Sequence, residues 1–351
     1  HSRKCKLQLT KNKLSMLGEK QFISLLEKLD EGVIITSSEY DIMYANEIAT
    51  AYFGEKIVGK PIYNLIRNSE VIDAINESQE INISFPYASS IGKHNLQLHY
   101  YQKHENPGII VINDRTEEEK FQNIRRDLIA NVSHELRSPL TSITGFIETL
   151  QNEDVSKDQR SHFLTIMQEE SNRMNRIISD LLSLSKIEID MYKELVDEVN
   201  IIDQINTAKN ALEHRASESG KMINVTIKGD IPRIKGDADQ IVEVFHNLFD
   251  NAIKYSNDGS TITAIIDLYS VDTQEYIRAT IANDGAGINE EHLPRLTERF
   301  YRVDKARSRD IGGTGLGLAI VKHILIRHSA NMEITSKING KTKFIISFPC
   351  R

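Results

Sequence analysis

The 351-residue chain carries a formal net charge of −7 and 40% hydrophobic residues, enough for the cores of two or three domains. Its pI near 5.9 argues against a nucleic-acid or membrane-coating surface. The two cysteines, Cys5 and Cys350, stand at opposite ends, which speaks against a disulfide framework or a cysteine-based zinc site, and no run reaches the roughly 18 apolar residues of a membrane span.

In chain order, residues 1–21 open with Arg3, Lys4, Lys6, Lys11, Lys13 and Lys20 against Glu19 alone. That bias suits either the cytoplasmic flank of a membrane or a solvated basic tail. His1 in place of an initiator Met predicts that sequence precedes it, so any membrane attachment would run through a segment outside this chain. Residues 22–116 alternate short apolar runs with turn chemistry (GVIITSSEYDIMYAN, FGEKIVGKPI, INISFPY, NLQLHYY, GIIVIND) and predict strands with a few short helices. Here His94, His99 and His104 read as solvent-facing strand histidines rather than haem or metal ligands. The lack of cysteine in this stretch excludes a covalent flavin–thiol photosensor.

From Thr116 the period changes. Ile124, Leu128, Val132, Leu136, Leu140, Ile143, Ile147 and Leu150 mark one face of a long helix. After the break QNEDVSKDQ, a second stripe follows in Phe163, Met167, Met174, Ile177, Leu181, Leu184 and Ile187. Residues 117–190 thus predict a helical hairpin whose apolar faces call for a second copy and a dimeric four-helix bundle. Residues 191–351 mix strand-like INVTIKGDIP and TITAIIDLY with helical IVEVFHNLFDNAIKY and LGLAIVKHILIRH, an α/β layer.

Two places carry chemistry. His134, in SHELRSP, lies off the apolar stripe, with Glu135 beside it and Ser138 one turn on along the same face. A neutral imidazole is a nucleophile near pH 7, and Glu135 is placed to hold its proton. Pro139 removes a backbone hydrogen bond and predicts local loosening of the helix. On a wheel, Glu243, Asn247, Asn251 and Lys254 fall within about 80° of one another, opposite Ile241, Phe245, Leu248 and Ala252. Amide oxygens there suit Mg²⁺ when phosphates supply the charge. Asp284 ends a strand before Gly285 and Gly287, where a carboxylate can accept from an exocyclic amine. Gly312, Gly313, Gly315 and Gly317 lead into a helix whose first amides can bind an anion. The spacing fits neither a P-loop nor a dinucleotide fingerprint. Between the glycine clusters, RFYRVDKARSRD reads as a basic lid.

Together these motifs resemble the sensor histidine kinases of two-component systems. SHELRSP is similar to their phosphoacceptor box, NLFDNAIKY to the N box, NDGAGI and GGTGLGLAIVK to the two glycine boxes, and ERFYRVD to the F box, all in the family's order across residues 120 to 350. The resemblance implies a multidomain α+β chain: a PAS-like sensor domain over 22–116, a dimerisation and phosphotransfer hairpin over 117–190, and an ATP-binding α/β sandwich of the gyrase/Hsp90/kinase/MutL (GHKL, Bergerat) type over 191–351. By position, His134 would accept phosphate with Glu135 as base, and Asn247 and Asn251 would serve Mg²⁺. Lys254 and Arg302 would hold the phosphates of ATP, Tyr255 the base or ribose, and Asp284 the adenine. Gly285, Gly287, Gly313, Thr314, Gly315, Leu316 and Gly317 would shape the nucleotide lid. Ser138 stands where this class usually has Thr or Asn, keeping the hydroxyl for a regulator phosphatase activity. The details most resemble phosphate-regulon sensor kinases of the PhoR type. They imply a homodimer, a receiver-domain response regulator such as a PhoB-like transcription factor, and the cytoplasmic portion of an inner-membrane-anchored bacterial protein. Two rivals stand beside this reading: a catalytically idle sensor scaffold, which intact His134, Asn251 and Asp284 disfavour, and another ATP-driven clamp of the same sandwich, which leaves SHELRSP without purpose.

Overall fold

The structure, a computed structural model, describes residues 20–66, 72–73, 80–89, 92–101, 107–151, 154–304 and 313–350, with the backbone alone at 124 and 125. It forms two compact units that part between Asp127 and Leu128. The basic segment 1–19, His104, Gly312 and lid residues 305–311 lie outside the described residues.

The first unit is built on a five-stranded antiparallel sheet. Its strands are β1 (Gly32–Thr36), β2 (Ile42–Ala45), β3 (Glu80–Ala88), β4 (Lys93–Tyr101) and β5 (Gly108–Asp114), in the order β2-β1-β5-β4-β3. Alternation sends Leu96, Leu98, Tyr100, Ile110 and Ile112 inward. Helix α1 (Glu47–Phe53) is anchored by Asn46, a fully buried N-cap whose amide is saturated. Its Oδ1 accepts from the backbone N–H of Val33 and Ala49, and its Nδ2 donates to the carbonyls of Leu26 and Glu31. FGEKIVGKPI forms no strand; it turns through positive-φ Gly54 and Gly59 into a 3₁₀ turn at Ile62–Asn64. His94 departs from its expectation as well. It is largely buried, with Nδ1 2.8 Å from Asp114 Oδ2.

Helix α2 (Thr116–Leu150) is continuous through Pro139. It is followed by α3 (Lys157–Asp190), which starts at a Ser156/Gln159 capping box. Phe146 stacks on Phe163 at 5.0 Å between ring centroids, tying the turn end of the hairpin. Ile129, Leu140 and Ile147 on α2, with Leu164, Ile178, Leu182 and Ile189 on α3, remain exposed in the single chain.

The α/β layer is a second five-stranded sheet in the order β11-β12-β10-β9-β7. Its strands are β7 (Met222–Ile227), β9 (Thr261–Val271), β10 (Gln274–Asp284), β11 (Asn331–Ser336) and β12 (Lys341–Pro349), with β7 parallel to β9 and the other pairs antiparallel. A two-stranded ladder joins β6 (Glu198–Val199) to β8 (Ile234–Lys235). Helices α4 (Ile201–Glu218), α5 (Ala238–Tyr255) and α6 (Gly317–Arg327) form the second layer, with α5 packed between the other two and against β10. Its inner face, Ile241, Phe245, Leu248 and Ala252, is buried as the wheel requires. His328 locks the start of α5: its Nδ1–H donates to the Ile324 carbonyl and its Nε2 accepts from Asp237 N–H, a neutral tautomer that burial favours by pushing its pKa down. The lower part of α3 joins this layer, with Leu184 and Ile187 buried in the same core. This arrangement, a helical hairpin plus a GHKL α/β sandwich, is the fold class that the motifs imply.

Candidate active site

His134 and Ser138 are exposed on α2, one turn apart, and line a cavity of about 390 Å³. Asn131, Glu135 and Arg173 complete its hairpin side; Phe300 and Arg302 come from the α/β layer. Phe300 adopts φ of 62°, unusual for an aromatic residue, and is held by its N–H donating to the Gly315 carbonyl. Through that bond the second glycine box positions the wall facing His134.

Glu135 is engaged across the hairpin. Its Oε2 accepts from Arg173 Nη2 at 2.6 Å, and the Arg173 side chain is only 8% exposed. Arg173 is a site residue that the motifs do not name. Its signal in the sequence is a charge standing on the apolar stripe of α3, between Met167 and Ile177, where a hydrophobic residue is the ordinary choice.

The second cluster gathers on α5. Glu243 accepts from Ser183 Oγ of α3 at 2.5 Å, and Asn247 Nδ2 donates to the Glu243 carbonyl at 2.9 Å. Lys254 Nζ is 2.6 Å from Asp250, which also pairs with Arg215. Asn251 is half-buried on the same face, and Tyr255 is exposed at the helix end. Asp284 ends β10, with its carbonyl accepting from Asn257 N–H. Gly285 follows so close to the end of α5 that a Cβ would lie 2.3 Å from the Tyr255 carbonyl oxygen.

The second glycine box closes on the same helix. Gly317, the first residue of α6, lies against the Asn247 amide: a Cβ there would meet Asn247 Oδ1 at 2.5 Å and displace it. This close approach sets the positive end of α6 beside the amide face of α5, an arrangement suited to phosphate. Thr314 Oγ1 donates to Asp180 of α3 at 2.6 Å and accepts from Leu316 N–H. Gly313 and Gly287 lie on the flanking turns, Gly287 with φ of +75°. Burial pushes the carboxyls of both Asp180 and Glu243 up, against the hydrogen bonds from Thr314 and Ser183 that favour their charged forms. Asp180 and Ser183 of the hairpin therefore touch residues of the nucleotide motifs directly, which their positions in the sequence do not reveal.

Among the described residues no helix is long and apolar enough to cross a membrane. Residues 124–189 match the family model described as the His Kinase A (phospho-acceptor) domain, and residues 236–351 match that of the histidine kinase-, DNA gyrase B-, and HSP90-like ATPase. The Phosphate regulon sensor protein PhoR of Pseudomonas aeruginosa is 34% identical over 322 residues, covering 89% of this chain and 70% of that relative. Sensor protein kinase WalK of Staphylococcus aureus strain Newman is 34% identical over 344 residues, covering 93% of this chain and 55% of its own length. A crystal structure of histidine kinase ThkA in complex with response regulator protein TrrA matches 93% of this chain and 98% of that one, at 23% identity and a TM-score of 0.51, a likeness of fold. With a phosphoacceptor hairpin, a GHKL ATPase layer and these relatives, the chain belongs to the sensor histidine kinases of two-component systems.

Proposed function

We propose that the chain works as a homodimer that moves the γ-phosphoryl group of ATP to His134 and then to an aspartate of a receiver-domain response regulator. One observation carries this reading: His134 of the hairpin and Arg302 of the ATPase layer line the same cavity. As the bond from the γ-phosphorus to its bridging oxygen breaks, with ADP leaving on that oxygen's electron pair, a nitrogen–phosphorus bond forms, and the imidazole proton passes to Glu135. Little covalent chemistry is asked of the protein beyond alignment and charge stabilisation.

The donor set fits magnesium and nucleotide. Asn247 and Asn251 offer neutral amide oxygens, Lys254 and Arg302 positive charge, Asp284 an acceptor for adenine and Tyr255 an exposed ring at the base or ribose. Gly285, Gly287, Gly313, Thr314, Gly315, Leu316 and Gly317 form the turns around them. Bound Mg²⁺ would neutralise phosphate charge. Residues 117–190 and 191–351 are assigned to hairpin and catalytic domain, residues 22–116 to a PAS-like sensor domain on the basis of its five-stranded antiparallel sheet. Residues 1–21 are assigned to a juxtamembrane segment, with membrane anchoring through sequence outside this chain. The exposed apolar residues of α2 and α3 supply the dimer seam. Likeness to PhoR supports phosphate-starvation signalling through a PhoB-like transcription factor. Ser138 supports a regulator phosphatase activity. The test is phosphotransfer: the full chain, loaded from γ-labelled ATP with Mg²⁺, should lose label as a receiver-domain protein gains it. A loaded chain that transfers to no receiver domain would contradict the reading.

A further inference from the structure

Arg173 has more donors than Glu135 uses. Its Nη2 donates to Glu135 Oε2 at 2.6 Å, while Nε, on the same side-on edge of the guanidinium, is buried without a hydrogen-bond partner. Glu170 lies on the other side, with 3.8 Å between its Oε2 and Nη1. A buried N–H left unpaired is costly, and a guanidinium edge is shaped for two parallel bonds to an oxyanion. The side chain is more than nine-tenths buried and lines the same cavity as His134, Ser138, Asn131 and Arg302.

We propose that this cavity is an oxyanion site in which Arg173 binds the phosphoryl group carried by His134. The proposal rests on the reading of His134 as phosphoacceptor. The unpaired Nε supplies the first bond to a phosphoryl oxygen. Nη2 supplies the second by leaving Glu135, whose own attraction for the guanidinium therefore competes with the phosphoryl group. Loss of the group by hydrolysis breaks the nitrogen–phosphorus bond, forms a phosphorus–oxygen bond to water, returns a proton to the imidazole and releases inorganic phosphate. In the loose transition state of that step, negative charge leaves the phosphoryl oxygens. A cation on those oxygens thus holds the ground state more firmly than the transition state and slows the loss.

The full chain, phosphorylated on histidine with phosphoramidate rather than ATP, tests this directly, with His134→Gln giving the background from the other histidines. Arg173→Met should shorten the phosphohistidine half-life about tenfold, the size expected for one charge-assisted pair, and Arg173→Lys should lie between. Glu135→Gln, which removes the charge of the competitor and leaves only a weaker amide acceptor, should lengthen the half-life, and Glu135→Gln combined with Arg173→Met should abolish that gain. An unchanged half-life in Arg173→Met, or a gain in the double variant equal to that of Glu135→Gln, would overturn the proposal. A parallel titration of inorganic phosphate into unphosphorylated protein, followed by ³¹P line broadening, separates the sources. If Arg173→Met lost phosphate binding with no change in half-life, the site would serve free phosphate and the covalent assignment would fall. Phosphoramidate loads histidine without nucleotide, so failure here is distinguishable from failure of the kinase reading, which appears as absence of labelling from ATP.

Discussion

Asn251 sits on the half-buried polar side of α5, away from the buried Phe245, Leu248 and Ala252, so trimming its amide to a methyl leaves the packing face intact. Asn251→Ala should keep the fold, seen as an unchanged unfolding midpoint, and lose Mg²⁺-dependent labelling from ATP. Normal labelling would remove Asn251 from the metal site. Ser138 makes a different claim, because its hydroxyl lies one turn from His134 and can hold a water near a docked acyl phosphate. Ser138→Ala should leave autophosphorylation within a few fold and slow dephosphorylation of the regulator about ten- to a hundredfold, and Ser138→Thr should preserve or improve it. Equal loss of both rates would assign Ser138 a structural role instead.

At the scale of elements, α5 and the two glycine boxes were legible because each obeys a local rule. An amphipathic helix separates its faces within one window of sequence, and a glycine marks a turn or a close approach without knowledge of its neighbour. The contacts of α3 were not legible for the opposite reason. Asp180 and Ser183 stand in an ordinary helical pattern, and their meaning depends on Thr314 and Glu243, far along the chain. His94 was misread similarly, since Asp114, its partner, lies on a neighbouring strand. The Asp180 contact has a consequence in pH. Burial raises its pKa, so its contribution to stability is full below the ordinary carboxylate range and is lost as pH rises through the raised value. Asp180→Asn keeps an acceptor for Thr314 without a charge to bury. Its unfolding midpoint should gain on the wild type as pH rises from about 3, below the ordinary carboxylate range, to about 7. A difference between the two proteins that stays constant with pH, or shrinks as it rises, would contradict the burial argument.

For the whole molecule, the fold class and the order of hairpin and ATPase layer followed from changes of hydrophobic period and from five motifs in sequence. The signal and the output partner did not, since neither leaves a local pattern. Relatives of both PhoR and WalK type are 34% identical to this chain, so whether the output is the phosphate regulon depends on which receiver domain the proposed phosphotransfer reaches. A phosphotransfer profile across the regulators of the host should show fastest transfer to a PhoB-like protein, and faster transfer to an unrelated regulator would reassign the output. The proposed function depends on one chemical event, phosphorylation of His134. Labelling the full chain with γ-labelled ATP and Mg²⁺, then treating it with acid and with alkali, reads that event directly, because a phosphoramidate bond breaks once its nitrogen is protonated. The label should survive alkali, disappear in acid and be absent from His134→Gln. An acid-stable label, or normal labelling of His134→Gln, would contradict the assignment of His134 as phosphoacceptor.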